Sequence, residues 1–181
     1  MQIETERLLL RPFAEADAAD LYKYAKDPEV GPAAGWPPHG SVEESRNIIR
    51  LVLSGPESYA ICKKEDGRVI GAIALSLNGD SRLAEAEDEC ELGYWIGKPF
   101  WGQGLMTEAS EALLRRAFTE LGMRRVWCGY FEGNEKSKRV QEKLGFRHEK
   151  TLREVDVPLL KEVRIEHVSL LSREAWRLKN M

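Results

Sequence analysis

The period of the apolar residues changes repeatedly along this chain, and turn residues punctuate each change. Residues 3–11, around Leu8-Leu9-Leu10, read as a first strand, and 15–26 as a helix closed by Asp27-Pro28. The stretch 32–40 holds Pro32, Gly35, Pro37, Pro38 and Gly40, so it reads as a loop with Trp36 at its centre. Ser41 then caps a second helix, with Glu44 three residues on as a capping-box partner, and Ser54-Gly55-Pro56 ends it. Two strands follow at 58–63 and 68–77, joined by the turn Glu65-Asp66-Gly67. In the second, Val69, Gly71, Ile73, Leu75 and Leu77 alternate and predict one apolar face. A polar, acidic loop over 78–88 leads to a strand at 90–97, where Cys90, Leu92, Tyr94 and Ile96 share one face and Glu91, Gly93 and Trp95 the other.

A longer helix is predicted over 104–121, with Met106, Ala109, Leu113 and Ala117 on one stripe and Glu108, Glu111 and Arg115 on another. Gly122 stops it. A strand at 125–130, a short helix at 134–144 with Gly145 as its C-cap, and strands at 146–152 and 161–171 complete the pattern. The last two are antiparallel if Asp156-Val157-Pro158 turns the chain between them, and the tail from Arg173, with Trp176, is a helix or a fray. The order predicts an α+β fold: one domain, 1–181, built on a mixed, mostly antiparallel twisted sheet of about seven strands with flanking helices.

The segment GYWIGKPFWGQGLMTEA, beginning at Gly93 and ending at Ala109, carries the most chemical information. It reads as a strand, a glycine-rich turn and the first turns of a helix. Such a helix start leaves unpaired backbone N–H groups at the positive end of the dipole, a site for phosphate or diphosphate. Gly102 and Gly104 allow the tight turn and the close approach of an anion. No Lys-Ser/Thr pair follows, which excludes the mononucleotide P-loop, and Thr107 stands where a Rossmann fingerprint needs its third glycine.

Composition narrows the class further. The chain has 181 residues, 43% hydrophobic and 31% charged, with a net charge of −3 and no concentrated Lys/Arg stripe, which disfavours nucleic acid as a partner. Apolar runs are too short for a membrane helix, and the start Met1-Gln2-Ile3-Glu4 has no basic or apolar leader, so cytoplasm is the expected compartment. Cys62, Cys90 and Cys128 fall in strand-like runs without metal-ligand spacing and read as buried structural thiols. His39, His148 and His167 are scattered in sequence, so no metal is expected.

Four segments in this order and spacing resemble the GNAT superfamily of acetyl-CoA-dependent N-acetyltransferases, and within it the group acting on ribosomal-protein N-termini. They are TERLLLRPF at 5–13, ELGYWIGKPFWGQGLMTEA at 91–109, the pair Asn134 and Ser137, and EKLGF at 142–146. The resemblance covers nearly the whole chain. It implies that acetyl-CoA enters a gap where the strand 90–97 splays from the strand 125–130. The pantetheine arm would pair with the strand edge at Leu92, Tyr94, Trp95 and Ile96. The diphosphate would sit on the amides of Gly102, Gln103, Gly104, Leu105, Met106 and Thr107. Trp101 and Met106 depart from the superfamily's usual phosphate-loop residues, while Gly104 keeps its central glycine. Trp101 fits the ribosomal-protein group. Met106 puts a side chain where a small one is common, which would loosen the hold on the cofactor.

The resemblance further implies that Asn134 holds the pantetheine arm, in addition to capping its helix. Ser137 would give a proton to the departing CoA thiolate. Attack on a thioester needs a neutral amine, so a base or a water chain must remove a proton. Glu91 is the candidate base, its alternative being a solvated strand carboxylate, and a backbone N–H near Leu92 or Tyr94 would stabilise the oxyanion. Trp36, His39 and the run Glu85-Ala86-Glu87-Asp88-Glu89 form either the acceptor side or, structurally, a lid and a solvated turn. The expected partner is an amine acceptor, a protein N-terminus or a small molecule, bound by a monomer or homodimer. A non-catalytic acyl-CoA sensor is the competing class.

Overall fold

The structure, a computed structural model, describes residues 1–77 and 79–181, so Asn78, the predicted start of the acidic loop, lies outside it. Among the described residues there are eight strands and six α-helices, and backbone pairing orders the strands β1-β2-β3-β4-β5-β6-β8-β7 in one open mixed sheet. The chain divides into two compact units: 1–74 with 94–112, and 75–93 with 113–181.

In the first unit the predicted opening strand is broken. β1 (Ile3–Glu4) and β2 (Leu8–Arg11) pair antiparallel with each other, Ile3 opposite Leu10, which raises the strand count by one over the sequence reading. The Thr5 hydroxyl causes the break, because it accepts from the Leu8 amide at 3.0 Å while the Thr5 amide donates to the Leu8 carbonyl at 2.9 Å. A 3₁₀ turn, Glu15–Asp17, opens α1 (Ala18–Ala25), and Asp17 there accepts both guanidinium arms of Arg11 at 2.8 Å. The stretch read as a loop begins instead with a short helix, α2 (Gly31–Ala34), which Gly35 ends at φ 95°. Pro32 accounts for this, since proline is tolerated in a first helical turn, where its missing N–H costs nothing.

α3 (Val42–Leu51) starts as predicted, with Ser41 Oγ accepting from the Glu44 amide at 3.0 Å. Glu44 reaches back one residue further than the capping box requires, to the Gly40 amide at 2.6 Å. β3 (Ser58–Lys63) matches its predicted span, and it pairs with β4 (Val69–Leu77). β4 is buried on both faces over Val69, Ile70, Gly71, Ala72 and Ile73, so the single apolar face read from its alternation is only half of the packing. Ala18, Leu21 and Ile49 form one core cluster of this unit, with Phe13, Val42, Leu53 and Trp95 against it.

β5 (Glu89–Ile96) begins in the second unit and ends in the first, and α4 (Leu105–Thr119) crosses between them in the other direction. In the second unit β5 runs parallel to β6 (Arg125–Phe131) for three residue pairs only, ending at Glu91 opposite Trp127. β6 then continues antiparallel to β8 (Glu162–Ser172), which pairs with β7 (Arg147–Val157). These last strands extend past their predicted ends. Asp156 and Val157 belong to the ladder, opposite Val163 and Glu162, and the turn falls at Pro158, Leu159, Leu160 and Lys161 instead. α5 (Glu135–Leu144) runs from Asn134 to its C-cap Gly145, at φ 94°, as the sequence predicts. The tail is a helix, α6 (Arg173–Lys179), capped by Ser172 and holding Trp176 5.3 Å from Phe118.

Gly71 sits where β4 meets the end of β5 most closely. A Cβ there would overlap the Trp95 carbonyl oxygen and come within 2.9 Å of the Ile96 Cα, both backbone atoms that cannot swing aside. At Gly93 a Cβ would meet nothing within 4 Å. Urea denaturation should therefore show Gly71→Ala destabilised by about 2–3 kcal/mol. Gly93→Ala should stay within about 0.5 kcal/mol of the parent.

Candidate active site

The glycine-rich turn belongs to the first unit. A 3₁₀ turn, Lys98–Phe100, follows β5, and the Trp101 indole then donates back to the Ile96 carbonyl at 2.9 Å. The Gln103 side chain folds onto the Pro99 carbonyl, also at 2.9 Å. Gly102 and Gly104 adopt φ 73° and 75°, a left-handed backbone that L side chains rarely take. The first i→i−4 bond of α4 runs from the Glu108 amide to the Gly104 carbonyl at 3.0 Å. The amides of Leu105, Met106 and Thr107 therefore lie ahead of the helical ladder. Leu105 and Met106 bury their side chains, and Gly102, Gln103 and Gly104 are exposed. The surface is thus offered backbone rather than side chain, and this cradle fits a diphosphate.

Glu108, read as part of a polar stripe, instead joins this turn to the amino-terminal strands. Its carboxylate accepts from the Thr5 hydroxyl at 2.6 Å, the Arg7 amide at 2.8 Å and the Arg7 Nε at 2.7 Å. Burial alone would raise its pKa, but these donors outweigh burial and hold it below the usual glutamate range. The TERL and TEA segments are thus two halves of one contact. Nearby in this unit Trp95 packs edge-on to Trp36 at 5.3 Å, and Trp36 lies 5.2 Å from His39. His39 is buried, with Nδ1 2.7 Å from Ser45 Oγ. Burial lowers its pKa, against a smaller opposing pull from Glu44.

The second unit contains the remaining candidates. Glu91 is half-buried, and its Oε2 accepts from the Ser81 hydroxyl at 3.0 Å and the Arg82 amide at 3.1 Å. Leu92 is buried beside it in sequence. Arg82 makes a two-armed ion pair with Glu166 at 3.0 and 2.7 Å, and Glu166 is only 4% exposed. Glu166 lies against Gly129 of β6, where a Cβ would overlap its carboxylate. Asn134 Oδ1 accepts from the Ser137 amide at 3.2 Å, the cap expected of it. Ser137 Oγ accepts from Gln141 Nε2 at 3.3 Å, and the same nitrogen donates to the Gly129 carbonyl at 3.3 Å.

The acidic run is not a uniform solvated turn. Glu89 is the first residue of β5, 3% exposed, and accepts from the Trp127 indole at 2.8 Å, the Arg125 guanidinium at 3.1 Å and the Glu85 amide at 3.2 Å. Burial pushes its pKa up, and these donors together more than reverse the effect. Glu89 is therefore a structural anchor and leaves the acceptor candidates. Asp88 pairs with Arg124 at 3.1 Å. The histidines are less scattered than their numbering implies, because His148 and His167 pack 5.9 Å apart with the Thr151 hydroxyl between them. No group of three His, Cys, Asp or Glu side chains that could hold a metal occurs among the described residues. Cys62, Cys90 and Cys128 are buried and form no disulfide, and burial raises the Cys62 pKa. Arg82 and Glu166 carried no sequence signal, lying 84 positions apart. Gln141 did: it stands four residues after Ser137, on the same helix face.

A family model described as the acetyltransferase (GNAT) domain matches residues 7–147. The chain belongs to the GNAT acetyltransferase family. The matched stretch draws on both compact units. The chain is 30% identical to the "Uncharacterized N-acetyltransferase p20" of Bacillus licheniformis over 175 residues, 94% of this chain and 96% of that one. It is 40% identical over 84 residues to YdaF of Bacillus subtilis (strain 168), provisionally named a ribosomal N-acetyltransferase, across 46% of this chain and 43% of that one. The crystal structure of a GNAT-family acetyltransferase from Bacillus anthracis shares the fold at a TM-score of 0.83 and 24% identity, covering 96% of this chain and 99% of its own. This GNAT protein is an acyltransferase, and its family draws the acetyl group from acetyl-CoA. No helix among its described residues is long and apolar enough to cross a membrane.

The buried, neutral His39 gives this acetyltransferase a calculable pH response. Its folded pKa lies below the ordinary histidine value, so the unfolded chain binds the proton more readily. The contribution is complete above the unfolded pKa and is lost as pH falls from there toward the folded one. Unfolding free energies from urea titrations between neutral and mildly acidic pH should decline with a slope of at most about 1.4 kcal/mol per pH unit from this group. His39→Gln should flatten that part of the curve.

Proposed function

We propose that this acetyltransferase moves the acetyl group of acetyl-CoA onto a primary amine, with a protein N-terminal amine as the favoured acceptor. The observation that carries the donor is the turn before α4, where two left-handed glycines precede three amides outside the helical ladder. Phosphate oxygens accept from such amides and gain from the helix dipole. Acetyl-CoA, when bound, supplies an activated acetyl thioester. Leu92, Tyr94, Trp95 and Ile96 of β5 provide the strand edge for its pantetheine arm, and Asn134 contributes an amide side chain to the same arm. The backbone N–H groups near Leu92 and Tyr94 steady negative charge on the carbonyl oxygen.

Proton movements fall to two side chains. Glu91 takes the proton of the incoming amine, directly or through water; both of its hydrogen bonds to Ser81 and Arg82 use Oε2. Ser137 donates from Oγ toward the sulfur of CoA, and the N–H that Oγ accepts from Gln141 makes its own O–H a stronger donor. The preference for a protein N-terminus rests on the name of the YdaF protein and on the aromatic pair Trp36 and Trp95, whose faces suit an ammonium group. Residues 1–181 serve as one catalytic domain.

The test is thiol release from acetyl-CoA with and without peptides bearing free N-termini, alongside a panel of small amines. Turnover should require the amine and should be fastest with a peptide. Ser137→Ala should lower kcat about 100-fold while leaving CoA affinity unchanged. Faster turnover of a small amine would reassign the acceptor. CoA binding without turnover on any amine would make the protein a sensor, and no CoA binding would remove the proposal altogether.

A further inference from the structure

Gln141 is 1% exposed, yet it is an amide with two donors and an acceptor. Its Nε2 spans two partners, the Ser137 hydroxyl oxygen and the Gly129 carbonyl, each at 3.3 Å. Its Oε1 is buried without a hydrogen-bond partner. Turning the amide over would press Oε1 against the Gly129 carbonyl, acceptor against acceptor, so the side chain has one workable orientation. An orphaned buried acceptor costs stability, and a leucine of similar volume would avoid that cost. The leucine would in turn leave the Gly129 carbonyl without this donor, so the two costs oppose each other and stability gives no net reason for an amide at this position.

Its location gives a reason. Gly129 stands just past the end of the β5–β6 pairing, which closes at Glu91 opposite Trp127. Gln141 ties the β6 backbone at that point to the hydroxyl of Ser137, one helical turn earlier on α5. Serine hydroxyls turn freely unless a neighbour sets them. A donor lodged on Oγ leaves the O–H confined to the remaining directions and polarised away from the amide.

We propose that Gln141 is a positioning residue for proton donation: it sets the Ser137 hydroxyl against β6 and strengthens it as a donor, at the expense of an unsatisfied Oε1. This rests on the reading of Ser137 as the group that donates to the CoA sulfur. The side chain touches neither donor nor acceptor substrate, so its effect belongs in kcat and not in the affinity for either.

The experiment compares Gln141→Leu, Ser137→Ala and the double variant in the full chain, measuring CoA affinity, kcat, KM for the amine and the thermal midpoint. Gln141→Leu should melt close to the parent temperature, bind CoA as the parent does, and lose about 3- to 10-fold in kcat with KM unchanged. In the Ser137→Ala background the same change should have no further effect on kcat, because its target is gone. Gln141→Glu, which keeps the length but places an acceptor where the donor was, should be at least as slow as the leucine variant. An equal kcat loss in both backgrounds, or parent-like kcat in Gln141→Leu, overturns the inference while leaving the role of Ser137 intact. An unchanged kcat in Ser137→Ala removes the reading beneath it, a result distinct from either.

Discussion

The parallel contact between β5 and β6 lasts three residue pairs, and much of the second unit is arranged around that short length. At its paired end Glu89 fastens the two strands through side chains, accepting from Trp127 and Arg125 of β6 while staying buried. A carboxylate in that position is tolerable only because three donors surround it. Past Glu91 opposite Trp127 the two strands lose their mutual hydrogen bonds, and backbone groups there need other partners. Gln141 takes the Gly129 carbonyl.

A second polar network fixes the last paired residue of β5. Glu91 accepts from Ser81 and Arg82, and Arg82 in turn grips the buried Glu166 with both arms. The geometry is a planar fork on a planar carboxylate, the arrangement arginine makes best. Because Gly129 has no side chain, Glu166 can lie against the β6 backbone. The segment 81–83 is thus held by charge and hydrogen bonds as well as by burial of Leu83 with Trp127 and Val168, and Glu91 is held with it.

In the first unit the corresponding economy is in the turn before α4. Trp101 and Gln103 spend their polar groups on the turn's own carbonyls, and Glu108 spends its charge on Thr5 and Arg7. The Glu108 carboxylate in the first turn of α4 is offset by the Arg7 guanidinium at 2.7 Å. The backbone of Gly102, Gln103 and Gly104 is left exposed.

Local chemistry made much of this legible in advance. Apolar period, capping residues and glycine positions located α3, α5 and their caps, the turn at Gly102 and Gly104, and the strand β5, because each depends on neighbours a few residues away. The order of those segments also carried the family. Tertiary contact decided the rest. Thr5 broke the first strand, β4 was covered on both faces, and Glu89 left an acidic run to become a core anchor. Arg82 found a carboxylate 84 positions away, and Gln141, visible four residues after Ser137, acquired its meaning only from a carbonyl on another strand. A sequence encodes which backbone a residue prefers, but the partner that satisfies a buried charge or amide is chosen by the packing of distant elements, and no local rule contains it.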